Sequence, residues 1–207
     1  MKTLVVAATK AELNILYQHF NLPEGDFVES KNFDLLITGV GMVATAFTLG
    51  QHLSQKYDLV VNFGIAGSFD RSIALGTVLN ITEDTFAELG AENGEEFLTI
   101  TDLGFGENHY TSRTQRIVAL PIAKGITKNC VSGSEKSIQK LIQRLNPTTE
   151  SMEGAAVFYA CKQLNIDCLQ IRSVSNYVEP RNKDNWKIGL AIKNLNDWAI
   201  AFIGEMN

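Results

Sequence analysis

Leu59-Val60-Val61-Asn62-Phe63 is a near-continuous apolar run that stops against Gly64-Ile65-Ala66-Gly67-Ser68. A strand solvated on one face alternates apolar and polar residues, whereas one buried on both faces does not. Residues 59–63 therefore predict an inner strand of an α/β sheet. The small-residue segment after them predicts a turn at the strand's carboxyl edge, where such sheets bind ligands. Backbone clearance alone would also call for glycines there, and both readings stand at this point.

The same texture recurs in both directions along the chain. Segments 3–8, 33–38, 77–81, 126–131 and 168–174 are β-rich and apolar. Between them, helical spacing marks 10–20, 42–56, 135–145 and 153–164, and a long final helix runs from Asp184 to about Gly204. In 42–56 the stripe is Val43, Ala46, Phe47, Gly50 and Leu53; in the final helix it is Ile188, Ile192, Leu195, Ala199 and Phe202. Alternating strands and helices of this kind predict an α/β fold. Segment 83–121 differs: its glycines, acids and aromatics predict an irregular excursion beyond the sheet edge.

Composition narrows the function classes. Among 207 residues, 18 Lys and Arg face 23 Asp and Glu, for a formal charge of −5, so no basic surplus is available for a nucleic-acid backbone or an anionic membrane surface. The longest strongly apolar stretch, 35–50, is shorter than the roughly 18–20 residues of a membrane span and is broken by Thr38, Gly39, Gly41 and Thr45. The amino-terminal apolar run is too short for a signal peptide. Three cysteines, Cys130, Cys161 and Cys168, lie in no metal-ligand spacing and predict reduced thiols in a cytoplasmic protein without a bound metal.

Four motifs could carry chemistry. Gly39-Val40-Gly41 follows a strand and opens a helix, as a dinucleotide fingerprint does. The acid such a site needs is represented only by Asp58, at the wrong end of the next strand, so a tight strand-to-helix turn is the better reading. Thr9-Lys10-Ala11-Glu12 is a capping box, with the rival reading that Glu12 points into the ligand crevice as a base. Glu150-Ser151-Met152-Glu153-Gly154-Ala155-Ala156 puts two carboxylates three apart at a helix start, where acids are favoured anyway; the small residues would let a ligand approach the backbone. Arg172-Ser173-Val174-Ser175-Asn176 ends a buried strand in a polar cluster.

Together with Val131-Ser132-Gly133, these ordered segments resemble the purine nucleoside phosphorylase and nucleosidase superfamily over most of the chain. Within it, Ser175-Asn176-Tyr177-Val178-Glu179-Pro180-Arg181-Asn182 and the following Trp186 are similar to the futalosine hydrolase branch. Segment 83–121 is the least well matched.

The resemblance implies one domain over 1–207, a three-layer sandwich with a mixed central sheet flanked by helices, and no cofactor. It implies hydrolysis of a 6-oxopurine nucleoside, futalosine to dehypoxanthine futalosine plus hypoxanthine, in menaquinone biosynthesis. Glu12, Glu153 and Asn176 would be catalytic, and Ala66, Gly67 and Met152 would bind substrate. Glu12 would activate water, Glu153 would hold the ribose hydroxyls and favour the developing cation, and Met152 would pack on the sugar. The related methylthioadenosine/S-adenosylhomocysteine nucleosidases carry Asp where this chain has Asn176. An Asn amide can donate to N7 and O6, which suits hypoxanthine rather than adenine.

Relatives are usually dimers whose partner helps close the 5′ side. Phosphorylases need cationic side chains around phosphate, and no Arg precedes Arg71, which favours water as the nucleophile. The alternatives are a methylthioadenosine-type nucleosidase, a phosphorylase, and a nucleoside-binding module that needs the pocket but not both carboxylates.

Overall fold

The computed structural model describes residues 2–31, 33–114 and 118–206. The chain opens with β1 (Thr3–Ala7), a 3₁₀ turn (Lys10–Leu13) and α1 (Asn14–His19), then β2 (Phe27–Glu29), β3 (Phe33–Ile37) and α2 (Met42–His52). It continues through β4 (Leu59–Ser68), β5 (Val78–Phe86), the short β6 (Gly90–Asn93) and β7 (Glu96–Thr99), β8 (His109–Thr111) and β9 (Ile122–Thr127). The last part is α3 (Glu135–Leu145), β10 (Thr149–Ser151), α4 (Gly154–Leu164), β11 (Asp167–Tyr177), a 3₁₀ turn (Lys183–Asn185) and α5 (Ile188–Glu205).

Among the described residues, nine strands form one mixed sheet in the order β10-β9-β5-β11-β4-β1-β3-β2, with β8 on β5. The middle strands β3, β1, β4 and β11 run parallel, while β5 is antiparallel to β11. Alternation along the strands sorts the core into two layers. Val5, Val61, Phe63, Leu169 and Ile171 pack against α1 and α5, through Leu16, Tyr17, Leu195, Ala199 and Ile203. Leu4, Val6, Val60 and Cys168 face the other way, onto Leu49 of α2 and Val157, Phe158 and Cys161 of α4. Helix, sheet and helix are the three expected layers, and the double burial explains why the inner strands read as unbroken apolar runs.

Several expectations change. Residues 64–68 are not a turn: β4 runs straight through them, paired with β11 as far as Ser68↔Tyr177 and with β10 at Thr149↔Ser68 and Glu150↔Gly67. Because β10 also pairs β9, the sheet curls back on itself at its carboxyl edge. Segment 126–131 is only the end of a strand, since β9 ends at Thr127 and the chain then leaves the sheet. Lys124 and Gly125 masked the true strand; Gly125 has no room for a Cβ, which would meet Asp84 Oδ2 and Ile81 Cγ2 at 2.9 Å.

The α2 stripe was also misassigned. Thr45 and Leu49 are the buried positions, while Val43 is 76% and Phe47 66% exposed. The 83–121 excursion is partly ordered into the second half of β5, the β6–β7 hairpin and β8; residues 115–117 lie outside the described ones. The first and last helices are trimmed by 3₁₀ turns at their starts.

Candidate functional site

A cavity of about 300 Å³ opens at the carboxyl ends of β1, β4 and β11, lined also by β10, by Met152 and Glu153 just before α4, and by the first turn of α5. Its lining includes all six residues singled out from the sequence: Glu12, Ala66, Gly67, Met152, Glu153 and Asn176. Trp186, Ile188 and Ile192 add an apolar wall, and Lys128 and Val131 approach from the loop after β9.

Glu12 follows β1 through the Thr9 capping box, which forms. Its Oε2 accepts from the Thr9 amide and hydroxyl, both at 3.0 Å, and its Oε1 accepts from the Ile65 amide at 3.1 Å. Glu12 thus closes the cap and also lines the cavity. From α5, the buried Asn196 donates to the Glu12 carbonyl at 2.8 Å and accepts from the Leu16 amide at 2.9 Å, fixing the turn that presents the carboxylate.

Glu153 caps α4. Its Oε1 accepts from the Gly41 amide at 2.9 Å, which assigns the Gly39-Val40-Gly41 motif. Both glycines have positive φ, 84° and 92°, a region costly for residues with a Cβ, and at Gly39 a Cβ would crowd Ala44 Cβ at 3.1 Å. The turn aims an amide at a carboxylate of the same chain. Asp58 lies at the far end of the sheet, accepting from the Lys2 amide.

Arg172, 1% exposed, feels the charge of both glutamates; the sequence motif contained it but gave it no task. Its guanidinium donates to Asn62 Oδ1 and, at 3.4 Å, to the Asn62 carbonyl. Burial pushes its pKa down, and the charges of Glu153, Glu12 and Asp84 oppose that. Burial in turn pushes the Glu153 carboxyl up, against the pull of Arg172 and the Gly41 amide. Gly64 makes this cluster possible: a Cβ there would lie 2.9 Å from Arg172 Nη1 and 3.1 Å from Glu12 Oε1. The glycines of 64–67 clear space for neighbouring side chains inside a strand.

Asn176 sits after a bulge in β11 that puts it in register with Gly67. Ser175 Oγ donates to its Oδ1 at 2.8 Å, and its Nδ2 donates to the Tyr177 carbonyl at 3.0 Å. Its acceptor is engaged within the protein, and one of its two N–H groups remains for a ligand. Arg71, the cation weighed for a phosphate, stands outside the cavity, paired with Glu179 and stacked over Tyr177 with its guanidinium carbon 5.2 Å from the ring centre. Lys128, which the sequence reading missed, lines the cavity and donates to Ser132 Oγ at 3.1 Å. Its place inside the expected strand 126–131 hid it.

No helix among the described residues is long and apolar enough to cross a membrane. The sequence profile of the Phosphorylase superfamily matches residues 4–203. A futalosine hydrolase from Streptomyces coelicolor is 34% identical over 189 residues, covering 85% of this chain and 77% of that protein. Two solved Helicobacter pylori structures share the fold at 15–16% identity, each with a TM-score of 0.83 and covering 99% of this chain and 98% of the other. One is a futalosine hydrolase and the other a 5′-methylthioadenosine/S-adenosylhomocysteine nucleosidase. The chain thus belongs to the Phosphorylase superfamily, and within it is similar to the futalosine hydrolases.

Proposed function

We propose that this protein hydrolyses the N-glycosidic bond of a 6-oxopurine nucleoside, with futalosine, the substrate named for its similar relatives, as the substrate and hypoxanthine as the released base. The observation that carries this reading is the convergence of Glu12, Glu153 and Asn176 on one cavity. A binding module would need the cavity without two carboxylates buried beside it.

In this reading the C1′–N9 bond breaks with its electron pair going to the purine, and C1′ and the ring oxygen take up positive charge. Glu153, with the charge of Arg172 opposing the effect of its burial, holds the ribose hydroxyls and stabilises that cation. Glu12 takes a proton from the water whose oxygen bonds to C1′. The remaining Asn176 N–H meets the N7–O6 edge, where the leaving base carries its charge; the base leaves as the anion and takes a proton from solvent, to which Glu12 returns the proton it took from the water. Met152 packs on the sugar. A 6-aminopurine offers a donor where O6 would be, so Asn176 disfavours it.

The position of Arg71 supports water over phosphate, since its charge is engaged by Glu179 at the surface. An exposed apolar face, with Val43, Phe47, Leu89, Phe105 and Tyr159 between 41% and 78% exposed, supports a homodimer that covers it. The reading carries with it a cytoplasmic location and a place in menaquinone biosynthesis. Incubation with futalosine, inosine and methylthioadenosine, with and without phosphate, tests the whole: the expected result is hypoxanthine from futalosine at a rate indifferent to phosphate. Adenine from methylthioadenosine as the main product, or ribosyl phosphate as a product, would overturn it.

A further inference from the structure

Gly67 is the middle of three neighbouring strands, in register with Asn176 of β11 on one side and Glu150 of β10 on the other. Residues opposite one another across a sheet share a face, so Asn176 and Glu150 flank a position with no side chain. A Cβ on Gly67 would lie 3.2 Å from Asn176 Nδ2 and 3.6 Å from Glu150 Cγ. The amide and the stem of the carboxylate are therefore separated by less than the sum of those distances, and all three residues line the cavity.

Glu150 is 5% exposed. Its Oε1 accepts from the Ser132 amide at 2.9 Å, which accounts for a structural task, pinning the loop after β9. Its Oε2 is buried and has no hydrogen-bond partner among the described residues. A buried carboxylate oxygen left without a donor is costly, and Glu150 is one of the residues that line the cavity together with Asn176.

We infer that Glu150 reads the N1–H of a 6-oxopurine, an assignment that rests on the nucleoside hydrolysis proposed above. Along one continuous edge of such a purine lie N7, O6 and N1. Asn176 supplies a donor for the first two, and a carboxylate, which only accepts, suits the N1–H that follows. In a 6-aminopurine N1 carries a lone pair, which Glu150 repels. Selectivity thus has an attractive and a repulsive part, placed on two strands either side of Gly67.

The test is calorimetric binding of hypoxanthine, 1-methylhypoxanthine and adenine to the parent protein and to Glu150→Gln, with melting curves to show that the variant folds. The parent is expected to bind hypoxanthine on the order of 10–100-fold more tightly than either other base, the range for a hydrogen bond to a charged group. In the variant, the Gln carbonyl takes the Ser132 amide and its NH₂ points where Oε2 pointed, so the penalty for N1-methylation shrinks to a few-fold and adenine gains. A methylation penalty of equal size in both proteins would be steric and would overturn the assignment of Glu150 while leaving the 6-oxopurine reading intact. A parent that prefers adenine to hypoxanthine overturns both. Should Glu150→Gln not fold, Glu150→Asp, which keeps the charge but withdraws it by one methylene, takes its place in the same comparison.

Discussion

Glu12→Gln separates the two tasks of one carboxylate, and the structure sets the size of each. Three donors converge on Glu12: the Ile65 amide on Oε1, and the Thr9 amide and hydroxyl on Oε2. Gln keeps one oxygen. If that oxygen replaces Oε2, the new NH₂ confronts the Ile65 amide; if it replaces Oε1, the Thr9 amide loses its acceptor. In both orientations a backbone N–H is left unpaired in a largely buried place, at a cost of about 1–3 kcal/mol. A chain of this size loses roughly 2–4 °C per kcal/mol, so the melting temperature should fall by several degrees while the protein stays folded at 25 °C. Loss of a general base removes a factor of about 10²–10⁴ from turnover. Hypoxanthine release from futalosine, followed chromatographically at 25 °C, should collapse by that factor with KM within a few-fold of the parent. A variant that melts lower but turns over within a few-fold would leave Glu12 as a capping residue only, and the mechanism built on it would fall.

Asn176→Asp should shift preference toward 6-aminopurine nucleosides, since a protonated Asp can donate to N7 and accept from a 6-amino group; unchanged preference at an unchanged rate would refute the role of the amide. Asp84, fully buried, has its pKa raised to about 6, chiefly by desolvation. The folded pKa lies above the unfolded one, so the stability it contributes is complete below about pH 4 and lost as pH rises through 6. Asp84→Asn, with Gln170 turning its amide to match, should therefore melt like the parent near pH 4 and be more stable by up to about 3 kcal/mol at pH 7.5; no gain at pH 7.5 would refute this. Gly64→Ala should lower turnover sharply and cost about 1–3 kcal/mol through overpacking, because its methyl would press on Arg172 and Glu12; parental kinetics would show that the cluster does not need that clearance.

The fold was legible where burial was simple. Inner strands with helices on both faces read as unbroken apolar runs, and the helices on them kept their period. It was misread where side chains other than apolar ones decide the local structure. Residues 64–68 look like a turn because glycine usually marks one, yet Gly64 and Gly67 are small so that Arg172, Glu12, Asn176 and Glu150 can reach over the strand. The α2 stripe of Val43 and Phe47 has helical period but points outward, and periodicity alone does not say which partner an apolar face awaits.

The site was legible as motifs and illegible as a charge arrangement. Sequence motifs bring Glu12 and Glu153 forward, but only the fold brings the charge of Arg172 to bear on both, from β11 beside Gly64. Two carboxylates buried alone beside each other would disfavour one another's ionisation. One of them would then take up a proton and lose its use, either as a base or as the counter-charge to a ribosyl cation. A buried guanidinium eases that conflict, because it feels both glutamates and Asp84 and opposes the rise that burial imposes on Glu153. The Gly41, Ile65 and Thr9 amides also donate to the carboxylates, so the positions of both are set before any substrate arrives. In the proposed mechanism a cationic transition state is then met without reorganising the protein, and glycines and backbone amides supply much of that arrangement.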